Sequence, residues 1–219
     1  ASALRFIMEG EGGYTVVDGN KITFETNDFV ITPNSTWHEH GVAENGKTCI
    51  WQDGLDISLV NALEDNDYAV LEGKQELNAP VNYSSITYGL SGLLVADKVW
   101  NKTYSPLFKF EWKKVYPALL ATAEVNEINA FDAIIMQYSN PLTGGHVMQT
   151  MGASMQLLPK SFKGKAHKHT GSFVYQCAKG SGYSIIDGKR YDWKERDIFC
   201  VPSWAWHEHH NNSETEDAC

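Results

Sequence analysis

The tetrapeptide Trp-His-Glu-His occurs twice, at residues 37–40 and 206–209, in a chain that has only eight histidines. His207 lies 169 residues after His38, and the surroundings repeat at the same distance. Pro202 answers to Pro33, Asp197 to Asp28, Asp187-Gly188 to Asp18-Gly19, and Tyr183 to Tyr14. Gly13 has no counterpart, so the distance becomes 170 upstream of it. Gly182 then answers to Gly12, Gly180 to Gly10 and Ser172 to Ser2. Turn residues and apolar runs agree over the whole span, which is the signature of an internal duplication. A chain built this way folds as two related units rather than as one large domain.

Residues 4–60 read as short strands (LRFIM, YTVV, ITFE, FVITP, KTCIWQ) separated by Gly-, Asn- and Asp-rich turns. In VVDGNKITF and SIIDGKRYDW an Asp-Gly pair stands between two apolar runs, a strong hairpin signal. Residues 134–210 repeat that texture. Many short strands with turns every eight to twelve residues indicate a sandwich or small barrel. Between the repeats, Trp112, Val115, Tyr116, Leu119, Leu120 and Ala123 fall at helical spacing, with Pro117 marking a start or a kink.

A net charge of −9 argues against nucleic acid or a membrane surface as partner, since both select for Lys and Arg. No apolar run approaches membrane-spanning length. Cys49, Cys177, Cys200 and Cys219 show no Cys-x-x-Cys spacing, and the first three lie in apolar runs. They read as reduced, buried thiols of a cytoplasmic protein. NPLTGG at residues 140–145 reads as a turn.

A second alternating pair, His167 and His169, precedes the second repeat. On one strand, residues two apart face the same side. With His207 arriving from a later strand, three imidazoles can converge on one metal ion and leave positions open. Their ligating nitrogens should then lie about 3–3.5 Å apart. Trp37 and Trp206 read as barrel packing.

A His-x-His pair, a Gly-rich turn, then a Pro and a third His resemble the two signature motifs of the cupin superfamily, and two such units resemble a bicupin. More narrowly, SALRFIMEGEGGYTVVDG, DFVITPNSTWHEHG, WQDGLDISLVN, SPLFKFEW, NPLTGG and PSWAWHEH are similar to the gentisate 1,2-dioxygenase family, with its salicylate and 1-hydroxy-2-naphthoate relatives. The resemblance runs through nearly the whole chain. Many cupins carry a Glu a few residues after His-x-His, where this chain has Phe173-Val174; the all-histidine ligand set of the gentisate family agrees with that departure.

The resemblance implies an all-β bicupin: two cupin β-barrels (double-stranded β-helices) joined by a partly helical connector. The expected parts are a first barrel over 1–60, N-terminally truncated, a connector over 61–132, and a second barrel over 133–219, C-terminally truncated. The arithmetic of the repeat places the first unit's own His-x-His just upstream of Ala1. By resemblance, His38 is an Fe(II) ligand, Arg5 grips a substrate carboxylate, His40 serves the substrate's hydroxyl proton, and Asp53 orients His40. The metal residues are thus His38, His167, His169 and His207. The implied reaction opens a carboxylated hydroxyaromatic with O2, gentisate giving maleylpyruvate, with salicylate or 1-hydroxy-2-naphthoate as alternatives. The implied assembly is a homo-oligomer, a tetramer by resemblance. The reading from another class is a non-catalytic, metal-binding bicupin.

Overall fold

A computed structural model describes residues 1–65 and 67–219, which form two compact units. Unit 1 comprises residues 1–114 and 137–153; unit 2 comprises 115–136 and 154–219. In chain order the elements are β1 (Ala3–Glu9), β2 (Gly13–Val17), β3 (Asn20–Phe24), β4 (Phe29–Thr32), β5 (His38–Val42), β6 (Ile50–Leu55), α1 (Ile57–Ala62), α2 (Tyr83–Tyr88) and β7 (Lys109–Phe110). They continue with α3 (Trp112–Val125), β8 (Ile134–Gln137), β9 (Ser154–Leu157), β10 (Phe173–Gln176), β11 (Ser181–Ile186), β12 (Lys189–Lys194), β13 (Ile198–Val201) and β14 (His207–His210).

Unit 1 holds two sheets, ordered β6-β1-β4-β7 and β3-β2-β5, with antiparallel pairing throughout. All four residues of β4 are buried, since β1 and β7 flank it and both its faces are covered. Phe29 stacks on Tyr138 at 4.4 Å and packs on Phe6 at 4.8 Å, which seeds the core of this unit. Segment 75–82 also belongs here. The Gln75 side chain accepts from Gly19 N, and that of Asn82 accepts from Thr23 N, both at 3.0 Å.

Unit 2 repeats the pattern with β12-β11-β14 and β10-β13. Its core gathers Leu158, Cys177, Trp193 and Ala218 in one cluster and Ile186, Val201 and Ala205 in another.

The duplication is written into the registers. On β2 and β5, Thr15 faces His40 and Val17 faces His38; on β11 and β14, Ser184 faces His209 and Ile186 faces His207. Arg5 faces Val30 as Tyr175 faces Phe199. Both Asp-Gly hairpins close with two consecutive positive φ values, 47° and 77° at Asp18-Gly19 and 46° and 78° at Asp187-Gly188. That geometry matches the right-handed twist of the flanking strands and favours glycine in second place. Asp28 and Asp197 also share a task. Their carboxylates accept the backbone N–H of Glu25 (3.0 Å) and Lys194 (2.9 Å), three residues back, and so fix the turn that feeds β4 and β13.

Pro117 lies inside α3, of which Leu119 is the buried residue. Two expectations change. Trp37 and Trp206 are exposed rather than packed: the alternation that turns His207 inward turns Trp206 out, beneath the Lys168 ammonium at 4.9 Å. All four thiols are free, but only Cys177 is buried: Cys49 and Cys219 are half-buried and Cys200 is exposed. Among the described residues no helix is long and apolar enough to cross a membrane.

Candidate metal centre

His207, the first residue of β14, is 1% exposed and pairs antiparallel with Ile186. The His167/His169 segment is extended but is not a strand. Isolated bridges tie it and the run before it to β14: Lys163 pairs with His210, and His167 and His207 exchange backbone hydrogen bonds of 3.0 and 2.9 Å. The second bridge brings the rings together. The His167 and His207 centroids are 4.3 Å apart, His169 and His207 4.8 Å, and His167 and His169 5.7 Å. The ligating nitrogens all lie within 4.8 Å of one another, a looser set than the expected about 3–3.5 Å. Among the described residues this is the one place where three metal-donor side chains meet.

The orientation of each ring is legible from its other nitrogen. His207 Nδ1 sits 3.0 Å from Ala205 O, His169 Nδ1 3.2 Å from Gly171 O, and His167 Nδ1 3.5 Å from Lys165 O. A carbonyl oxygen can only accept, so Nδ1 keeps the proton and Nε2 carries the lone pair. His207 Nε2 is buried with no protein partner. Burial, followed by the charges of His167 and His169, holds the His207 pKa below its ordinary value, which favours the neutral, ligating form. A buried, unpaired lone pair beside two like it costs free energy unless a cation meets all three. The donor set therefore fits a divalent metal.

Two residues beyond β14's first histidine, His209 is also buried. Its Nδ1 lies 2.7 Å from Ser184 Oγ, which in turn accepts from Trp193 Nε1 at 2.9 Å. Tyr175, at the place of Arg5 in the repeat, lies against it with ring centroids 4.7 Å apart.

In unit 1, β5 presents His38 and His40, both open to solvent, with ring centroids 5.7 Å apart. His38 Nδ1 lies 3.4 Å from Thr36 O, the contact that His207 makes to Ala205, so its Nε2 is likewise the lone-pair edge. Arg5 is buried on β1. Its Nε is 2.8 Å from Asp53 Oδ1, directly across the β1–β6 pair, and Nη1 donates to Thr32 Oγ1. Asp53 thus sits on Arg5, and it also accepts from Trp51 Nε1 at 3.4 Å. The indole of Trp51 lies 5.3 Å from the His40 ring. The His40 ring is exposed in part, yet the protein atoms around it, the Trp51 indole among them, withdraw enough water that desolvation, followed by the charges of Arg5 and His38, pulls its pKa down to about 4.

Sequence reasoning named seven residues; the structure brings His167, His169 and His207 together in unit 2, and Arg5 with Asp53 in unit 1, with His40 within electrostatic reach of Arg5. It missed Ser184, which would have followed from its position opposite His209 in the Asp-Gly hairpin. It also missed Asp132, whose carboxylate lies 3.6 Å from His167 Nε2 and which no local pattern marks.

A model described as "Cupin domain" matches residues 1–58 and 153–219. Gentisate 1,2 dioxygenase 1 of Aquipseudomonas alcaligenes is 38% identical over 97% of this chain and 61% of its own length. The 5-aminosalicylate 1,2-dioxygenase of Comamonas sp is 34% identical over 96% and 56%. The crystal structure of a salicylate 1,2-dioxygenase from Pseudaminobacter salicylatoxidans superposes with a TM-score of 0.86 at 26% identity, covering 99% of this chain and 63% of that one. The same enzyme has been crystallised as adducts with gentisate. The chain spans about three-fifths of the length of these relatives. With two units that share one register and a family model that matches more than half of it, the chain belongs to the cupin family, and within that family it is similar to gentisate and salicylate 1,2-dioxygenases.

Proposed function

We propose that this chain carries the substrate-gripping part of an Fe(II)-dependent dioxygenase that opens a hydroxylated aromatic acid, with gentisate as the preferred substrate. The observation that carries the reading is the buried Arg5, held between Asp53 and Thr32 beside a neutral imidazole. A surface charge needs no such frame. Asp53 pairs with the guanidinium by charge at Nε and Thr32 accepts from Nη1, and the planar fork of the guanidinium suits the geometry of a substrate carboxylate.

His40, with its pKa at about 4, is neutral near pH 7 and can accept the proton of a ring hydroxyl beside the carboxylate. Trp51 walls that imidazole on one side and, by donating to Asp53, ties it to the arginine clamp. His38 would hold the metal of unit 1, and His167, His169 and His207 that of unit 2. Imidazole donors suit iron as well as zinc, copper and nickel. A bound Fe(II) supplies the one-electron chemistry that dioxygen needs to react with an aromatic ring. Gentisate is preferred over salicylate because its second hydroxyl makes the ring easier to oxidise. The relatives named for gentisate and 5-aminosalicylate, and the gentisate adducts of the salicylate enzyme, support the substrate class.

The test is metal removal from the whole gene product. Gentisate-dependent oxygen uptake should fall to background after chelation and return with Fe2+ but not with Zn2+. Uptake that survives chelation, or that Zn2+ restores, would contradict an iron enzyme.

A further inference from the structure

We infer that Asp132 is a fourth ligand of the unit 2 centre, which makes it a three-histidine, one-carboxylate site for a divalent cation. The inference rests on the three-histidine reading of that centre and adds to it. Asp132 Oδ1 lies 3.6 Å from His167 Nε2. Two ligands held at about 2.1 Å from one ion, at right or tetrahedral angles, stand about 3.0–3.4 Å apart, so the carboxylate is nearly at co-ligand distance.

The edge that it faces is the informative point. A carboxylate that merely orients a metal-bound histidine accepts a proton from the ring nitrogen that does not bind metal. In His167 that nitrogen is Nδ1, and it is turned to Lys165 O. Asp132 instead meets the lone-pair edge. A carboxylate oxygen and an imidazole lone pair repel unless a positive charge lies between them. A proton could serve that one pair, but it leaves the buried Nε2 of His207 unsatisfied. A divalent cation held by the three histidines supplies that charge and satisfies His207 as well; Asp132 meets the trio from the His167 side and would close on the ion when it binds.

The turn that carries the carboxylate is also held in place. Asp132 N and Phe131 N both donate to Asn129 Oδ1, at 3.1 and 2.8 Å, while Asn129 and Ala133 exchange backbone hydrogen bonds of 3.0 Å. Gln156 Nε2 donates to Asp132 O at 2.9 Å, and the Phe131 ring meets the His167 ring at 5.5 Å, close to edge-on. On β10, Phe173 and Val174 carry no donor atoms, so a carboxylate reaches this centre from the turn before β8 instead. Four protein ligands leave less room for substrate or oxygen, as in sites where a metal stabilises structure. The unit 2 metal then acts as a clasp between the 129–133 turn, the His167/His169 segment and β14.

The experiment is a Co2+ titration of the chelator-treated chain, read by binding affinity and by the visible spectrum of the bound ion. His207→Ala defines which part of the signal belongs to unit 2. Asp132→Asn, which keeps the shape and removes the charge, should weaken that part by at least about 10–100-fold and change its spectrum, since even outer partners of a metal site carry that much. Asp132→Glu should retain most of the affinity. If Asp132→Asn binds Co2+ with the wild-type affinity and spectrum, Asp132 is only a neighbour of His167 and the inference fails. If the wild type shows no Co2+ signal that His207→Ala removes, the three-histidine reading itself fails, and this one with it.

Discussion

Replacing His207 by alanine should abolish divalent-metal binding in unit 2. His207 offers the most buried of the three lone pairs, at 1% exposure, and its Nδ1 contact with Ala205 O leaves only Nε2 to coordinate. Its backbone bridge also seats His167. That bridge is made by main-chain atoms and should survive the substitution, so His167 and His169 would remain as a pair, with Asp132 at the outer side of His167. Two imidazoles hold a divalent ion far less well than three, and the loss should exceed the about 100-fold at the top of the range for an outer partner. Isothermal titration with Zn2+ would measure it, with near-ultraviolet circular dichroism to show that the core around Trp193 and Phe199 is intact. Unaltered binding in a folded variant would show that the metal, if any, lies elsewhere.

The second large effect falls on Arg5. In the whole gene product, Arg5→Ala should lower kcat/KM for every carboxylated substrate by at least about 10–100-fold, the worth of one charged hydrogen bond. The true cost should be higher, because Asp53 would lose its counter-ion and present a negative charge to an anionic substrate. The change should appear mainly in KM, as the carboxylate is held before and during reaction alike. His40→Ala should act chiefly on kcat, since that ring serves the proton. Steady-state kinetics with gentisate, salicylate and 1-hydroxy-2-naphthoate would separate the two patterns. Normal KM values in Arg5→Ala would place the carboxylate clamp elsewhere.

Much of this architecture was legible because duplication repeats its errors as well as its rules. The single unmatched residue, Gly13, predicts that β1 and β10 correspond at 170 while β4 and β13 correspond at 169. The pairing of Arg5 with Val30 and Tyr175 with Phe199 obeys both. The Asp-Gly hairpins were readable since only their φ values admit that dipeptide so readily. The meeting of His167, His169 and His207 was readable from alternation, although the first two lie on an extended segment tied by isolated bridges rather than on a strand.

What sequence hides is contact made by tertiary pairing. Asp53 reaches Arg5 because β6 lies beside β1 in one particular register, which no local period reports. Asp132 reaches His167 through a turn 35 residues earlier in the chain, held by Asn129 and Gln156. The exposure of Trp206 follows from the same alternation that buries His207, and it was misread because aromatic residues in strands are more often inside.

The central proposal, that the whole gene product uses dioxygen to open a carboxylated hydroxyaromatic ring, is tested most directly with isotopically labelled dioxygen. Iron-loaded whole gene product would be given gentisate under labelled O2, and the product analysed at once by mass spectrometry. The account predicts a ring-opened product with both labelled atoms, one in the new carboxylate formed at the hydroxylated carbon and the other as the keto oxygen on the carbon that keeps the original carboxylate. A product with the ring intact and one label, or no consumption of oxygen by the iron-loaded protein, would contradict it.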